Sequence, residues 1–527
     1  MNITLTHYHL RPGGVTQVIL HQARALMEAG EDVLVLSGEA PVQGDEWEGI
    51  PVTVVPGLHY DRFRRDMDGA ATTRQNQAWQ GAMDGAVTTA CPSLTDRVEF
   101  AAGKLQRQNP AQKPDFGALA LEMERAIRSR WRRRADIVHV HNPLIRKNSL
   151  LSGALFALAG TMPLFLQNHD LAEDFRPDVY SPEPYPENCH YGVINSRDYR
   201  FLREAGLKSE GLHLLPNEVR TLTVSPGLPR TRYLYPVRGI RRKNIGELLL
   251  FSLFCKPFRS TSGPGSAVSR QDVTAALTQP PTTEQDAPVY RRWKALAGEL
   301  DLPAEFETGL GVPFADVMGT ALAVITTSIK EGFGFSFLEP WTADLAVTGR
   351  RIDYVCRDFE EAGLRFDSLY TGLNIPADYA EPDRLREKAE EALARVYRAF
   401  GSPLPASVPG ALDAVFSCRD TFDFGTMDEE QQERILRLAA EDKLIRNRIK
   451  QANPFLQTLE DWRSDPDVTG ANREAVLTAY SREKILQTLY AAYQKVPTPV
   501  VQRIDRSKLL ELYLDPARLS LIGISRE

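Results

Sequence analysis

A chain of 527 residues has room for about three domains and can bury cores without disulfide or metal staples. With 43% hydrophobic and 25% charged residues it is neither fibrous nor largely disordered. Lys and Arg number 63 against 69 Asp and Glu, and the formal net charge of −6 gives no overall positive field, so nucleic acid is not an expected partner.

The first residues, MNITLTHYHL, lack the basic start and apolar core of a signal peptide. Residues 3–10 carry strand formers, Pro12-Gly13-Gly14 turns the chain, and Val15, Val18, Ile19, Ala23 and Leu26 recur at helical spacing up to a stop at Gly30. A strand follows at 33–36. After a polar stretch between Tyr60 and Arg134 the alternation resumes, with strands at 136–141, 164–168, 191–195 and 212–215 and a helix at 148–159. The apolar run 150–166 is broken by Gly160, Thr161 and Pro163, which favours a buried helix and strand over a membrane span. Such alternation predicts a parallel sheet covered on both faces. Residues 221–232, with two prolines and a glycine, read as a hinge.

A second alternating series starts at 233–237 and includes a strand at 322–327, with a polar surface loop at 259–269. Beyond 374 helical signals dominate, among them a capping box from Thr426 to Glu429. The expected division is 1–220, 233–373 and a helical extension at 374–527. The fold class is α/β: two doubly wound Rossmann-like domains facing a cleft, where open parallel sheets bind ligands. The five cysteines, no two closer than 62 residues, form no CxxC site or disulfide pattern, and a cytoplasmic location is expected.

Two constellations carry chemistry. Ser328 to Glu339 (SIKEGFGFSFLE) follows a buried strand; Gly332 and Gly334 admit a ligand close to the backbone, and a helix expected from about Ser336 offers N–H groups to phosphate. Glu331 and Glu339, eight residues apart, suit two hydroxyl-bearing parts of one ligand. Arg238-Gly-Ile-Arg-Arg-Lys243 ends another strand and suits a diphosphate.

Together these motifs resemble glycosyltransferase family 4, retaining nucleotide-sugar transferases of the glycosyltransferase B fold. The E-x7-E signature matches Glu331 and Glu339, the R-x4-K pair matches Arg238 and Lys243, and the glycine loop matches Gly13 and Gly14. DIVHVHN, His169-Asp170 and the run INSRDYRFLREAGL with LLPNEV follow in family order over roughly 1–370. The resemblance implies a hexosyltransferase acting on a nucleotide-diphosphate sugar and a hydroxyl acceptor (small molecule, lipid or glycan), without divalent metal or other cofactor. Arg238 and Lys243 would hold the diphosphate. Glu331 and the backbone of Gly332, Phe333, Gly334 and Phe335 would contact the hexose, and Glu339 the ribose. Gly13 and Gly14 would close over the phosphates, and His169 would lie at the reacting face.

Asp170, Glu173, Asp174 and Arg176 are candidates for an acceptor pocket. All nine histidines lie at or before position 213, so any histidine at the site comes from the N-terminal domain. His139 and His141 share one strand face and, with no third ligand at zinc spacing, read as packing residues rather than a metal site. Arginines at 125–134 crowd a predicted helix, either a solvated helix end or a peripheral membrane contact. Alternatives on the same fold are a non-catalytic nucleotide-sugar or glycan-binding protein, a sugar-nucleotide epimerase and a phosphorylase. A two-carboxylate hydrolase has no need of the strand-end Arg and Lys.

Overall fold

The computed structural model describes residues 1–42, 45–61, 116–181, 183–255, 258–259, 270–271, 273–417, 419–458 and 464–524. Most of the polar stretch between Tyr60 and Arg134, and nearly all of the loop expected at 259–269, lie outside the described residues. The chain forms two compact units: Met1–Glu218 with Arg482–Tyr513, and Val219–Ser481 with Leu514–Glu527. The segment expected as one helical extension therefore contributes to both.

Unit 1 runs β1 (Asn2–His7), α1 (Gly14–Glu28), β2 (Asp32–Ser37), β3 (Val52–Val54), α2 (Phe116–Trp131), β4 (Ile137–His141), α3 (Leu151–Leu158), β5 (Leu164–Asn168), β6 (His190–Val193), α4 (Ser196–Glu204) and β7 (Leu212–Leu214). All neighbours are parallel, in the order β3-β2-β1-β4-β5-β6-β7. Both faces are covered, as the continuous apolar strands predict. On one face Ile3, Leu5 and Val35 pack against Ile19, Ala23 and Leu26 of α1. On the other, Leu36, Val138 and Val140 pack against Leu119, Met123 and Leu155 of α2 and α3. Gly30 ends α1 at φ 87°, a conformation that costs glycine nothing.

Unit 2 runs β8 (Arg232–Arg238), α5 (Ile245–Ser252), β9 (Thr274–Gln279), α6 (Ala287–Glu299), β10 (Ala304–Glu305), α7 (Phe314–Gly319), β11 (Ala321–Thr326), β12 (Val347–Arg350), α8 (Asp353–Glu361) and β13 (Leu369–Tyr370). Its sheet is parallel in the order β10-β9-β8-β11-β12-β13. Both expected doubly wound domains are thus present. Residues 221–232, expected as a hinge, are fastened to unit 2: Leu222 N donates to Thr342 Oγ1 (2.9 Å), Ser225 Oγ to Asp316 Oδ1 (2.5 Å), and Arg232 already belongs to β8.

The later helices are α9 (Pro382–Ala399), α10 (Val408–Phe416), α11 (Glu429–Glu441), α12 (Lys443–Ala452), α13 (Pro466–Ala479), α14 (Arg482–Tyr493) and α15 (Arg506–Tyr513). The cap of α11 is Asp428, which accepts from Gln431 N, and not Thr426, whose hydroxyl donates to Asp423 O. The aspartate is one residue from the first helical turn, and its carboxylate suits the positive helix end better than a hydroxyl. Among the described residues no helix is long and apolar enough to cross a membrane; the run at 150–166 is α3 followed by β5.

Candidate active site

In a sheet of order 3-2-1-4-5-6, the connections leave strands 1 and 4 in opposite directions and open a crevice beyond their carboxyl ends. In unit 2 those strands are β8 and β11. Arg238 is the last residue of β8, and the turn after it reaches Asn244, at φ 53°. The turn after β11 holds Thr327 to Glu331. Thr327 Oγ1 donates to the carbonyls of Lys243 (2.9 Å) and Asn244 (3.2 Å), and Ile329 N to that of Arg242 (3.1 Å), which knits the two turns together.

Glu331 is the centre of the cluster. Lys243 Nζ pairs with one carboxylate oxygen, Arg242 Nη1 with the other at 2.9 Å, and Ser328 Oγ donates at 2.6 Å. Tyr235 OH lies 2.5 Å from Ser328 Oγ, and Tyr354 OH bonds both the N–H and the carbonyl of Glu331. Burial works against a charged Glu331, but Lys243 and then Arg242 overcome it and hold the carboxyl at about 2. Arg238, Arg242 and Lys243 thus stand at the carboxyl end of β8, and Glu331 at that of the adjacent strand β11. Arg241, inside the same basic run, is a staple to the tail: it pairs with Glu429 and donates to the carbonyl of Ile524 at 2.6 Å.

The segment carrying Glu339 corrects the expected helix. Residues Phe335–Phe337 and Glu339–Ala343 are short 3-10 turns, and no α-helix starts near Ser336. Pro340 and the fully buried Trp341, whose indole N–H donates to Phe337 O at 2.9 Å, hold the chain in that path. Gly334 sits at φ 93°, where a Cβ would lie 2.8 Å from Val355 Cγ1. Phe333 is buried edge-on against Phe359 and Tyr480, so only its backbone remains as a candidate donor contact. Burial alone raises the Glu339 carboxyl to about 7.

In unit 1 the equivalent crevice lies beyond β1 and β4. Here stand His7, ending β1, and His141, ending β4, with His169 just past β5; all three are buried. His169 Nε2 is 3.0 Å from His141 Nδ1, and His7 Nδ1 is 3.1 Å from the His141 carbonyl. Asn142, at φ 53°, accepts from the backbone N–H of His169 (2.6 Å) and of Asp170 (3.2 Å) through Oδ1. The rings of His139 and His141 stack at 4.2 Å, and His139 Nδ1 meets Tyr493 OH at 2.8 Å, in line with the packing role expected of that strand face. Gly13 and Gly14 begin α1, where no side chain caps the helix and a Cβ on Gly14 would meet nothing within 4 Å.

Of the four acceptor candidates, two turn inward. Glu173 is fully buried against Tyr185 OH (2.5 Å) and Arg506 (3.4 Å), and Asp174 pairs with Arg197 at 2.9 Å. This corrects their reading as pocket residues, because each carboxylate offsets an arginine and Glu173 also takes a buried tyrosine hydroxyl. Asp170 and Arg176, paired at 3.2 Å and both partly exposed, remain candidates. Of the basic helix, Arg128 pairs with Glu124, Arg130 with Asp32 and Arg133 with Asp136. Among the described residues no group of three His, Cys, Asp or Glu could hold a metal ion.

Sequence reasoning included Arg242 and Ser328 in its two constellations without tying them to Glu331, and it missed Tyr235 there and His7 and Asn142 around His169. Arg242 adjoins a motif residue and His7 ends a predicted strand; that adjacency was the available signal.

No protein-family model matches the chain. It is 24% identical over 435 residues to mannosylglucosyl-3-phosphoglycerate synthase of Petrotoga mobilis, covering 75% of this chain and 73% of that one. Among solved structures, HepE of Anabaena in complex with UDP and glucose is similar with a TM-score of 0.49 at 14% identity, covering 93% of this chain and 98% of that one. A glycosyltransferase from Rickettsia africae has a TM-score of 0.45 at 11% identity, covering 94% and 98%. The fold class rests on the two sheets themselves. The likeness to glycosyltransferases rests on the ordered motifs and on the sequence similarity to the Petrotoga synthase.

Proposed function

We propose that this protein is a retaining hexosyltransferase: unit 2 takes a nucleotide-diphosphate sugar and unit 1 a hydroxyl acceptor. The observation that carries the reading is the pairing of Arg242 and Lys243, in the turn after β8, with Glu331 in the turn after β11, where Arg238 ends β8. Charge develops on the departing phosphate when the anomeric C–O bond breaks. Cations already ordered by a carboxylate stabilise that charge without reorganising. Arg238 gives the leaving diphosphate a forked donor, and Arg242 and Lys243 add charge beside it.

The acceptor oxygen bonds to the anomeric carbon on the face the phosphate leaves, and its proton passes to the departing phosphate oxygen. No protein base or divalent metal is needed in this scheme. Glu331 and the backbone from Gly332 to Phe335 read the hexose, Glu339 the ribose, and Gly13 and Gly14 admit the phosphates. His169, Asp170 and Arg176 serve the acceptor side. The likeness to the Petrotoga synthase supports a small anionic acceptor such as 3-phosphoglycerate or a glycosylated glycerate.

The test is a donor screen. UDP-, GDP- and ADP-sugars are incubated with EDTA, and nucleotide diphosphate release is followed with 3-phosphoglycerate, glycerate, glycerol or glucose. We expect acceptor-stimulated release that survives EDTA and drops at least about 10²-fold in Arg238→Ala and Glu331→Gln. Release that depends on added Mg²⁺ would remove the metal-free scheme. Failure to bind any nucleotide sugar would remove the transferase reading.

A further inference from the structure

The histidines at the carboxyl edge of the unit 1 sheet can be assigned their protons one by one. His7 Nδ1 lies 3.1 Å from the carbonyl oxygen of His141. A carbonyl only accepts, so Nδ1 of His7 carries the proton and Nε2 holds the lone pair. His141 Nδ1 and His169 Nε2 are 3.0 Å apart, so one of them donates to the other. The remaining nitrogen of His141, Nε2, is buried and has no hydrogen-bond partner among the described residues.

A proton on that nitrogen would be an orphaned buried N–H, which is rarer in folded proteins than an unmet lone pair. His141 therefore keeps its proton on Nδ1 and donates it. His169 accepts at Nε2 and, being neutral, carries its own proton on Nδ1. Burial keeps all three rings neutral: it lowers His169 to about 4 and puts His7 and His141 well below 6.5. Neighbouring histidines add to the effect for His7 and His141, while for His169 the nearby Asp170 works against it.

We propose that His141 is a positioning residue that sets opposite hydrogen-bonding roles on its two neighbours, its carbonyl making His7 an acceptor through Nε2 and its ring making His169 a donor through Nδ1. The two groups stand at the carboxyl ends of β1 and β5, on either side of β4 and His141, along the same edge of the unit 1 sheet. A hydroxyl both donates and accepts, so one lone pair and one N–H on the same sheet edge suit two hydroxyls of a polyol substrate. The identity of that substrate rests on the transferase reading; the proton assignment does not.

The test begins with long-range ¹H–¹⁵N spectra of the full chain, labelled on histidine, at pH 7.5. We expect the neutral Nδ1–H form for His7, His141 and His169, assigned with His7→Gln and His169→Asn. In His141→Phe the backbone carbonyl persists, so His7 keeps its form while His169 relaxes to a mixture with Nε2–H. His141→Asn, whose Nδ2 stands about where Nδ1 stood, restores His169. An Nε2–H signal for His7 or His169 in the unaltered protein overturns the proposal, as does simultaneous loss of both forms in His141→Phe.

In the donor screen, with UDP-glucose or GDP-mannose and 3-phosphoglycerate or glycerate, His141→Phe is expected to raise the acceptor KM about tenfold, more than it lowers kcat, and His141→Asn to recover it. An unchanged KM overturns the substrate-reading half. The expected spectra with no turnover on any donor would sink the transferase reading and leave the proton assignment standing.

Discussion

Glu331 shows how much one carboxylate can organise when its partners come from another strand. Lys243 and Arg242 reach it across 88 and 89 residues of chain, and both it and Lys243 are nearly buried. Removing one member of such a pair strands the other charge, at a cost of about 3–5 kcal/mol. Glu331→Ala is therefore expected to lower the thermal midpoint of unit 2 by several degrees. Adding Lys243→Met should return most of the loss, and calorimetry of the two proteins decides it. An isosteric Glu331→Gln is the better probe of activity, because it keeps an acceptor for the lysine.

The histidines make a prediction about pH. His139 falls to about 3 and His169 to about 4, chiefly by burial, and His7 and His141 are also lowered. The unfolded chain takes up these protons near pH 6.5, the folded chain only well below it. Between those values the unfolded state binds more protons, so this stability is present above pH 6.5 and lost as pH falls toward 4. Each histidine kept neutral costs about 1.4 kcal/mol per pH unit in that window. Acid unfolding of unit 1 is expected to start near pH 6, seen as loss of Tyr493 and Trp131 near-UV circular dichroism. A protein equally stable at pH 7 and pH 5 would contradict the buried neutral series.

At the scale of elements, α1 and the turn before α5 show two ways of presenting a strand end. Gly14 has neither a positive φ nor a neighbour within 4 Å, so nothing in the fold requires glycine there. Gly14→Ala should leave stability unchanged or raise it by up to about 1 kcal/mol. If the glycine serves close approach of phosphate, the same change raises the donor KM, and equal KM values for the two proteins would count against that role. The turn at Lys243 is held differently. Asn244 donates to Glu247 at 2.7 Å, Gln432 of α11 donates to Asn244 at 3.0 Å, and Glu247 is paired with Arg350, which also holds Asp423. This buried network, fed from α5, β12 and the tail, clamps the cationic turn. Glu339 lies on the contrasting element, a pair of 3-10 turns with no cation among the described residues to offset its carboxyl.

At the scale of the molecule, the tail is the main departure from the expected organisation. Helix α14 places Leu489, Ala492 and Tyr493 in one core of unit 1, and α15 places Leu509 and Tyr513 in the other. Arg506 stacks over Tyr180 (4.3 Å) and Tyr185 (4.6 Å) beside Glu173, and Tyr513 OH bonds Asp198 at 2.7 Å. The four larger of these core side chains, Leu489, Tyr493, Leu509 and Tyr513, are fully buried and contribute on the order of 10 kcal/mol, comparable with the whole stability of a domain. A chain ending at Ser481 is expected to lose unit 1 as a cooperative unit, read as rapid proteolysis within 1–218. Survival of that fragment would show the tail to be dispensable.

The alternation of strand and helix, the glycine and charge motifs at strand ends and the helical tail could all be read from the sequence, because each is a local pattern of period 2 or 3.6, or a short spacing. The positions of Arg238, Lys243 and Glu331 just past strand ends followed from that pattern alone. Their partners did not. Lys243 meets Glu331 because β8 and β11 are neighbours in the sheet, Glu173 and Asp174 turn inward because Arg506 and Arg197 wait there, and the tail divides between two units because its helices complete both. These outcomes depend on pairings across tens to hundreds of residues, where burial and charge compensation act on the assembled fold and leave no periodic trace in the chain.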